Sequence, residues 1–411
     1  MSVRMRGFTE YKRLSEALKI VLSSVQILGP ETVSFERSLG RVLAEDVISG
    51  VNVPPFDRSS MDGYAVRASD TFGASPQKPV ELRTVGSIAI GSHSNVSVKH
   101  GETVKIMTGS MIPNGADATV MVENTKATGK KIKIFAPLTP GKNVSALGED
   151  IRAGEVVMKC GQVLRPQDIG VLAAVGKLRI RVVKKPTVGI LSTGGELRAP
   201  GKKLPPAKIT NANSYSLAAY VQRCGGVPKI LGIVPDNLEV TKRMLNKAAL
   251  NDAVVVSGGS SVGERDLVPD AIAGIGQLLF HGVAIRPGSP TGFGLVKSKP
   301  VFALAGFSVA ALVSFDVLAR PALLAMQGLS QGHGRYYVRA KLARKISSTL
   351  GRIEIVRASL RRENGELLAD PIAISGSSIL SSMTKSDGFI VVPEHVEGLE
   401  KGREVEVELY I

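Results

Sequence analysis

The sequence predicts a multi-domain protein of α/β plus β class. A central doubly wound α/β domain carries an inserted β-rich domain before it and a C-terminal β domain after it. Three observations predict this. Strand and helix patterns alternate from Lys185 to Gly328, as in a mostly parallel sheet covered on both faces. Residues 80–136 and Tyr336 to Ile411 instead show short alternating apolar runs between Gly, Asn and Pro breaks. At 411 residues the chain is also too long for one ordinary core.

Taken in order, YKRLSEALKIVLSSV has apolar residues at helical spacing and predicts an amphipathic N-terminal helix. Residues 1–53 together with 151–184 are read as a linking domain, and 54–150 as the β-rich insertion. Its strands are VELRTV, VSVKHGETVKIM, ATVMVE and KIKIF. Residues 185–328 form the α/β domain. TVGILSTGGEL is a buried strand ending in a glycine loop, and Asn213 or Ser214 caps the helix SYSLAAYVQRCGG. Strand PKILGIV, helix NLEVTKRMLNKAAL, and strands DAVVVSGGSS, LLFHGVAI and PVFALAG follow. The apolar stretch from Ser308 to Gly328 carries Asp316, Arg320 and Pro321, so it reads as a buried, kinked helix and not a membrane span. Residues 329–411 form the C-terminal β domain.

Composition narrows the partners. A formal charge of +16 favours anionic ligands: phosphates, oxyanions or nucleic acid. The basic residues are spread along the chain, and aromatics make up only 4% with no Trp. That pattern argues against stacking platforms for single-stranded nucleic acid. Cys160 and Cys224 have no metal or redox spacing, and Met1 to Arg13 is basic without a following apolar run. A reducing, cytoplasmic location is the expectation.

Three strand ends in the α/β domain carry small polar residues: Ser192 to Glu196, Ser257 to Ser261, and Arg286 to Pro290. Each offers backbone N–H groups and hydroxyls to a phosphate. One such loop is an ordinary tight turn, but three at the same sheet edge make a ligand cleft. No GxGxxG follows a strand, GGELRAPGKK misses the Walker spacing, and no HxxxH or CxxC invites zinc. Oxygen ligands dominate, so the metal expected is Mg²⁺, held by one or two carboxylates plus ligand phosphate. The candidate carboxylates are Asp62, Asp150 (beside Glu149), Glu196 and Asp266 (near Glu264). In PPFDRSSMDGYAVRASD, Asp57 is read as a turn brace and Asp70 as the start of the next loop.

With these pieces assembled, the chain resembles the molybdopterin molybdenumtransferase family, which includes the E domain of gephyrin. FDRSSMDGYAVR, IMTGSMIPNGADATVMVE, GEDIRAGEVV, LSTGGEL, SGGSSVGERD, RPGSP and GSSILSSM carry the likeness, in family order over nearly the whole length. The resemblance implies a four-domain homodimer whose α/β domain is similar to the one that adenylylates molybdopterin. It implies Mg²⁺-dependent insertion of molybdate or tungstate into adenylylated molybdopterin, with release of AMP. By motif, Asp62, Thr108, Asp150, Glu196 and Asp266 match positions used for activity, and Asp266 and Asp62 are the metal candidates. Ser192, Thr193, Gly258, Gly259 and Ser261 are implied to hold pterin phosphate and adenylate. Gly194, Ser257 and Gly109 are further substrate-binding positions. Arg286 with Pro287 and Gly288, and Arg352, Arg357 and Ser381 from the C-terminal domain, are implied for the oxyanion.

The cleft departs from the family pattern at three places. Gly195 stands where the family's TGDEL has a carboxylate, and Arg286 to Pro290 replaces KPGKP, so Ser289 takes the place of a cation. Arg286 still offers a planar fork to an oxyanion. The family's LPGNP is here LAGFS, which removes two prolines, predicts a looser turn and puts Phe307 in place of a polar residue. A non-catalytic pterin-binding carrier or scaffold is the alternative. Nucleic-acid binding is disfavoured, because no recognition motif supports it.

Overall fold

The computed structural model describes residues 11–92, 95–258, 267–372 and 377–410. They form two compact units. One comprises the N-terminal segment through Glu31 with Val183 onward, and the other is Thr32–Val182.

In the first unit a six-stranded sheet uses β1 (Thr187–Thr193), β2 (Val227–Val234), β3 (Ala253–Ser257), β4 (Gln277–His281), β5 (Gly292–Val296) and β6 (Lys299–Leu304) in the order β2-β1-β3-β6-β5-β4. The first four in that order are parallel, and β5 and β4 add an antiparallel margin. Burial on both faces explains the continuous apolar runs. Val188, Ile190, Val255, Phe302 and Leu304 point into one core with helix residues Leu217, Val221 and Phe315. Leu191, Val254, Val256, Val301 and Ala303 point into the other with Leu245, Val268 and Ile272. The strand order reverses at β1 and β3, where doubly wound folds place their ligands.

Three local outcomes differ from the sequence reading or refine it. The helix Leu14–Ser23, read with the linking domain, packs Ala17 and Val21 into the α/β core beside Ala322 and Leu323. Helix Asn213–Arg223 is not capped by Asn213 or Ser214, because both already lie inside it. The Asn211 side chain, just outside, accepts from the Ser214 N–H at 3.3 Å. The apolar run after β6 is one buried helical stretch, Ser308–Ala325, that widens into a π-turn at Phe315–Ala319. Pro321 supplies no N–H and would clash with the Val317 carbonyl in a regular α-turn, so the widening has an identifiable cause. Although long and apolar enough to span a bilayer, this helix is mostly buried in the protein.

A five-stranded barrel follows in the same unit. Strands Ile353–Glu363, Glu366–Pro371, Tyr337–Leu342, Glu404–Leu409 and Gly388–Val392 pair in that order, and the last pairs back to the first. Closure leaves no free sheet edge. Its interior holds Leu342, Val356, Ile390 and Val407. Outside, Ile355 and Phe389 pack on Val309 and Val313 of the buried helix. The short strand Ile285–Arg286 runs parallel to Ile353–Glu354, which sets Arg286 beside Glu354. Arg335 bridges Asp316 of the π-turn at 3.1 Å and also Glu408 of the barrel.

The second unit contains the β-rich insertion, ordered Ala118–Met121, Gly63–Val66, Glu102–Ile106, Val80–Ile88, Lys131–Ile134, Thr125–Thr128. The read strand at 96–101 is loop, and pairing begins only at Glu102. Leu43, Val47, Met158, Leu164, Leu172 and Val182 form a separate small core. Gly63 lies where two strands meet so closely that a Cβ would stand 1.8 Å from the Val120 carbonyl oxygen. Replacing Arg335 by Met leaves mostly buried Glu408 without this cation and Asp316 with Arg320 at 3.9 Å. Urea unfolding should show a loss of about 3–5 kcal/mol in the first unit, and an unchanged midpoint would make the bridge dispensable.

Candidate functional site

At the carboxyl ends of β1, β3 and β6 lies a cavity of about 1070 Å³. Ser192, Thr193, Gly194 and Glu196 line it from the first loop, Ser257 and Gly258 from the second, and Ala305 to Ser308 from the third. These six residues of the first two loops are the ones the sequence nominated there. Gly259, Ser261 and Asp266 lie outside the described residues.

The two serines of these loops are bonded to neighbouring side chains and backbone. Ser192 is buried, its hydroxyl 2.8 Å from that of Ser214 and bonded to Asn211 Oδ1 at 3.1 Å. Ser257 donates to the Ala305 carbonyl and accepts from Asn213 Nδ2 at 2.7 Å. Their hydroxyls hold the floor together. Thr193 differs: its Oγ1 is buried with no hydrogen-bond partner among the described residues. Gly258 has φ +99°, and a Cβ there would stand 2.4 Å from the Thr193 carbonyl oxygen. That crossing admits only glycine.

Asn213, which the sequence reading treated as a helix cap, fastens the altered LAGFS turn. Its Nδ2 donates to the Gly306 carbonyl at 2.8 Å, and its Oδ1 accepts from the Ser308 hydroxyl at 2.7 Å. The turn that loses two prolines is therefore bonded side chain to backbone. A second missed residue is Asp236. It lines the cavity and accepts from the Gly195 N–H at 2.9 Å, so a carboxylate stands against the loop at the very position where Gly195 lacks one. The PDN sequence around it reads as an ordinary helix start, which is why it carried no signal.

A second cavity of about 400 Å³ adjoins the first, sharing Pro290, Ala305 and Phe307. Arg286, Pro287 and Gly288 line it from the α/β domain, and Arg352, Glu354 and Arg357 from the barrel. The Arg286 guanidinium is 3.5 Å from buried Glu354. Burial pushes the Arg357 guanidinium below its ordinary pKa, which marks a charge held with little water around it. Glu354 Oε2 and Arg352 Nε are buried without hydrogen-bond partners among the described residues. Ser289 bonds the Ile285 carbonyl at 2.6 Å, bracing the loop where the family has a cation. Ser381 is absent from the lining, and Ser377 and Ser378 stand there instead.

In the second unit, Asp62, Thr108 and Gly109 come together. The Asp62 carboxylate accepts from the Thr108 N–H at 2.7 Å and its hydroxyl at 2.8 Å. Gly109 donates its N–H to the Ser59 carbonyl at 2.7 Å. Asp57 braces not its own turn but a distant loop, accepting from the Leu147 N–H at 2.7 Å, and Asp150 sits exposed three residues further on. Asp70 ties down the His100–Gly101 turn. Among the described residues no three His, Cys, Asp or Glu groups converge on a metal position.

Fold and cavities together define an α/β protein with a large cleft at its strand ends and an arginine-lined annex. The comparisons with known proteins identify it further. Residues 12–176 match the MoeA N-terminal region (domain I and II), 189–325 a probable molybdopterin binding domain, and 339–410 the MoeA C-terminal region (domain IV). The chain belongs to the MoeA family. It is 36% identical to the molybdopterin molybdenumtransferase of Bacillus subtilis, over 92% of this chain and 89% of that one. It is 34% identical to molybdopterin molybdenumtransferase 2 of Mycobacterium tuberculosis H37Rv, over 98% and 99%. A molybdopterin biosynthesis MoeA protein from Pyrococcus horikoshii OT3 superposes with a TM-score of 0.82 at 36% identity, over 98% of this chain and 100% of that one.

Two outcomes test this geometry. Gly258→Ala should abolish ligand binding, measured calorimetrically with AMP, while circular dichroism stays unchanged; wild-type affinity would show that the crossing has room. The two Thr108 bonds hold the Asp62 carboxyl below its ordinary pKa, the backbone bond contributing most. Their stabilisation is complete above the unfolded carboxylate pKa and is lost as pH falls through the folded one. Thr108→Val removes the hydroxyl bond, so carboxyl NMR titration should find Asp62 moved upward toward its ordinary value. An unmoved titration would exclude a role for the hydroxyl.

Proposed function

We propose that this chain is a molybdopterin molybdenumtransferase that inserts molybdate or tungstate into adenylylated molybdopterin and releases AMP. One observation carries the reading: a nucleotide-sized cavity shares a wall with a smaller one lined by three arginines. The pairing suits a phosphorylated organic ligand set beside an inorganic oxyanion. The net charge of +16 raises the encounter rate for both.

Each residue then has a physical task. The glycine loops bring backbone N–H groups to the phosphates where no side chain intervenes. Arg286, Arg352 and Arg357 hold the oxyanion; Arg357 is buried, and there a guanidinium fork binds more tightly than it does in water. Glu354 keeps Arg286 turned into that pocket. Glu196, Asp236 and Asp270 supply carboxylate oxygens at the larger cavity. Asp266, by its motif, and Asp62, with its carboxyl kept ionised, are the remaining metal candidates, and Asp150 is assigned to water positioning. Mg²⁺, when bound, neutralises charge developing on the cleaved pyrophosphate.

Incubation of purified protein with adenylylated molybdopterin, Mg²⁺ and molybdate or tungstate should release AMP. Tight pterin binding without oxyanion-dependent release would replace the transferase reading with that of a carrier. Arg286→Gln should raise the KM for the oxyanion roughly tenfold or more, as expected from losing a charge-assisted bond, with little change in pterin affinity. An unchanged KM would remove Arg286 from the oxyanion site.

A further inference from the structure

We propose that Phe307 is a stacking platform for a planar heteroaromatic ring of the bound ligand, and thus a specificity-determining contact peculiar to this chain. The inference rests on the transferase reading and deepens it. Isolated exposed apolar residues are common and need no explanation. Phe307 is different in position, because it lines both cavities at their shared wall while 61% exposed. It is one of few aromatics in a chain where they make up 4% of residues. No other ring packs on it among the described residues.

The backbone beneath the ring is fixed. Its carbonyl accepts from the Ala311 N–H at 2.9 Å, and Asn213 bonds the residues on either side, Gly306 and Ser308. An aromatic residue on a hydrogen-bonded backbone needs only its side chain ordered when a flat ligand settles on it. Leu197, Ile209 and Leu238 add apolar surface to the larger cavity, while Asp236 supplies a polar group for ring edges. Such a lining is what a heterocycle requires: apolar faces and a few placed donors and acceptors. The family pattern has a polar residue at this position, so the contact belongs to this chain's own departure from it.

A pterin and a purine share this chemistry, and the test separates them. Wild type, Phe307→Ala, Phe307→Leu and Phe307→Trp are titrated with AMP, with 6-hydroxymethylpterin and with pyrophosphate. In the Ala and Leu variants, affinity for one ring ligand should fall roughly tenfold or more, the usual effect of removing an aromatic partner. The ligand that responds identifies the ring. Pyrophosphate affinity should stay constant throughout. The Trp variant should keep wild-type affinity, and its tryptophan, the only one in the chain, should be quenched by that ligand. The proposal is overturned if wild type binds neither ring ligand, if Ala and Leu bind both as wild type does, or if pyrophosphate binding falls in parallel. Ring binding without oxyanion-dependent AMP release in wild type would instead defeat the transferase reading and leave the stacking contact standing.

Discussion

The amide of Asn213 is the bond set on which the larger cavity depends. It is a single planar group with donors on one side and an acceptor on the other, and it satisfies Ser257, Gly306 and Ser308 at once. Glycine-rich strand ends are conformationally cheap to bend and therefore need an external fastener. Because Asn213 opens a helix whose far side is packed into the α/β core, the loops inherit the rigidity of that core. The cleft is shaped by secondary structure acting through one side chain.

The smaller cavity has a different origin. Three arginines on two domains gather because the short strand Ile285–Arg286 pairs in register with the first strand of the barrel. Barrel closure then leaves Ile355 and Phe389 free to face the buried helix, which locks the barrel against the α/β domain. Arg286 pairs with buried Glu354 at the edge of this cavity, while Arg357 is buried within it.

Much of this was legible in the sequence, and the remainder was hidden for physical reasons. The sheet could be read because both its faces are buried, so its strands appear as unbroken apolar runs. The three loops could be read because close backbone crossings demand glycine, as Gly258 does at Thr193. The Ser192 bonds to Asn211 and Ser214 were not legible, since a hydroxyl in a glycine loop looks the same whether it serves a ligand or its neighbours. Asn213 and Asp236 were missed as cavity-lining residues because capping and turn chemistry use the same residue types. Arg352 and Arg357 came only from the family resemblance; nothing local distinguishes them from other strand arginines. Asp62 was legible through its motif, and its Thr108 partner lies in a second motif that sequence alone could not bring to it.

Pro290, Ala305 and Phe307 belong to both cavities, and this common wall has a thermodynamic corollary. If filling one cavity shifts the wall, affinity in the other changes by some factor, and linkage requires the same factor in the reverse direction. The organic ligand and the oxyanion would then report on each other without touching. A wall that moves would impose an order of loading by energy alone, and a wall held still by Asn213 would leave the two ligands independent.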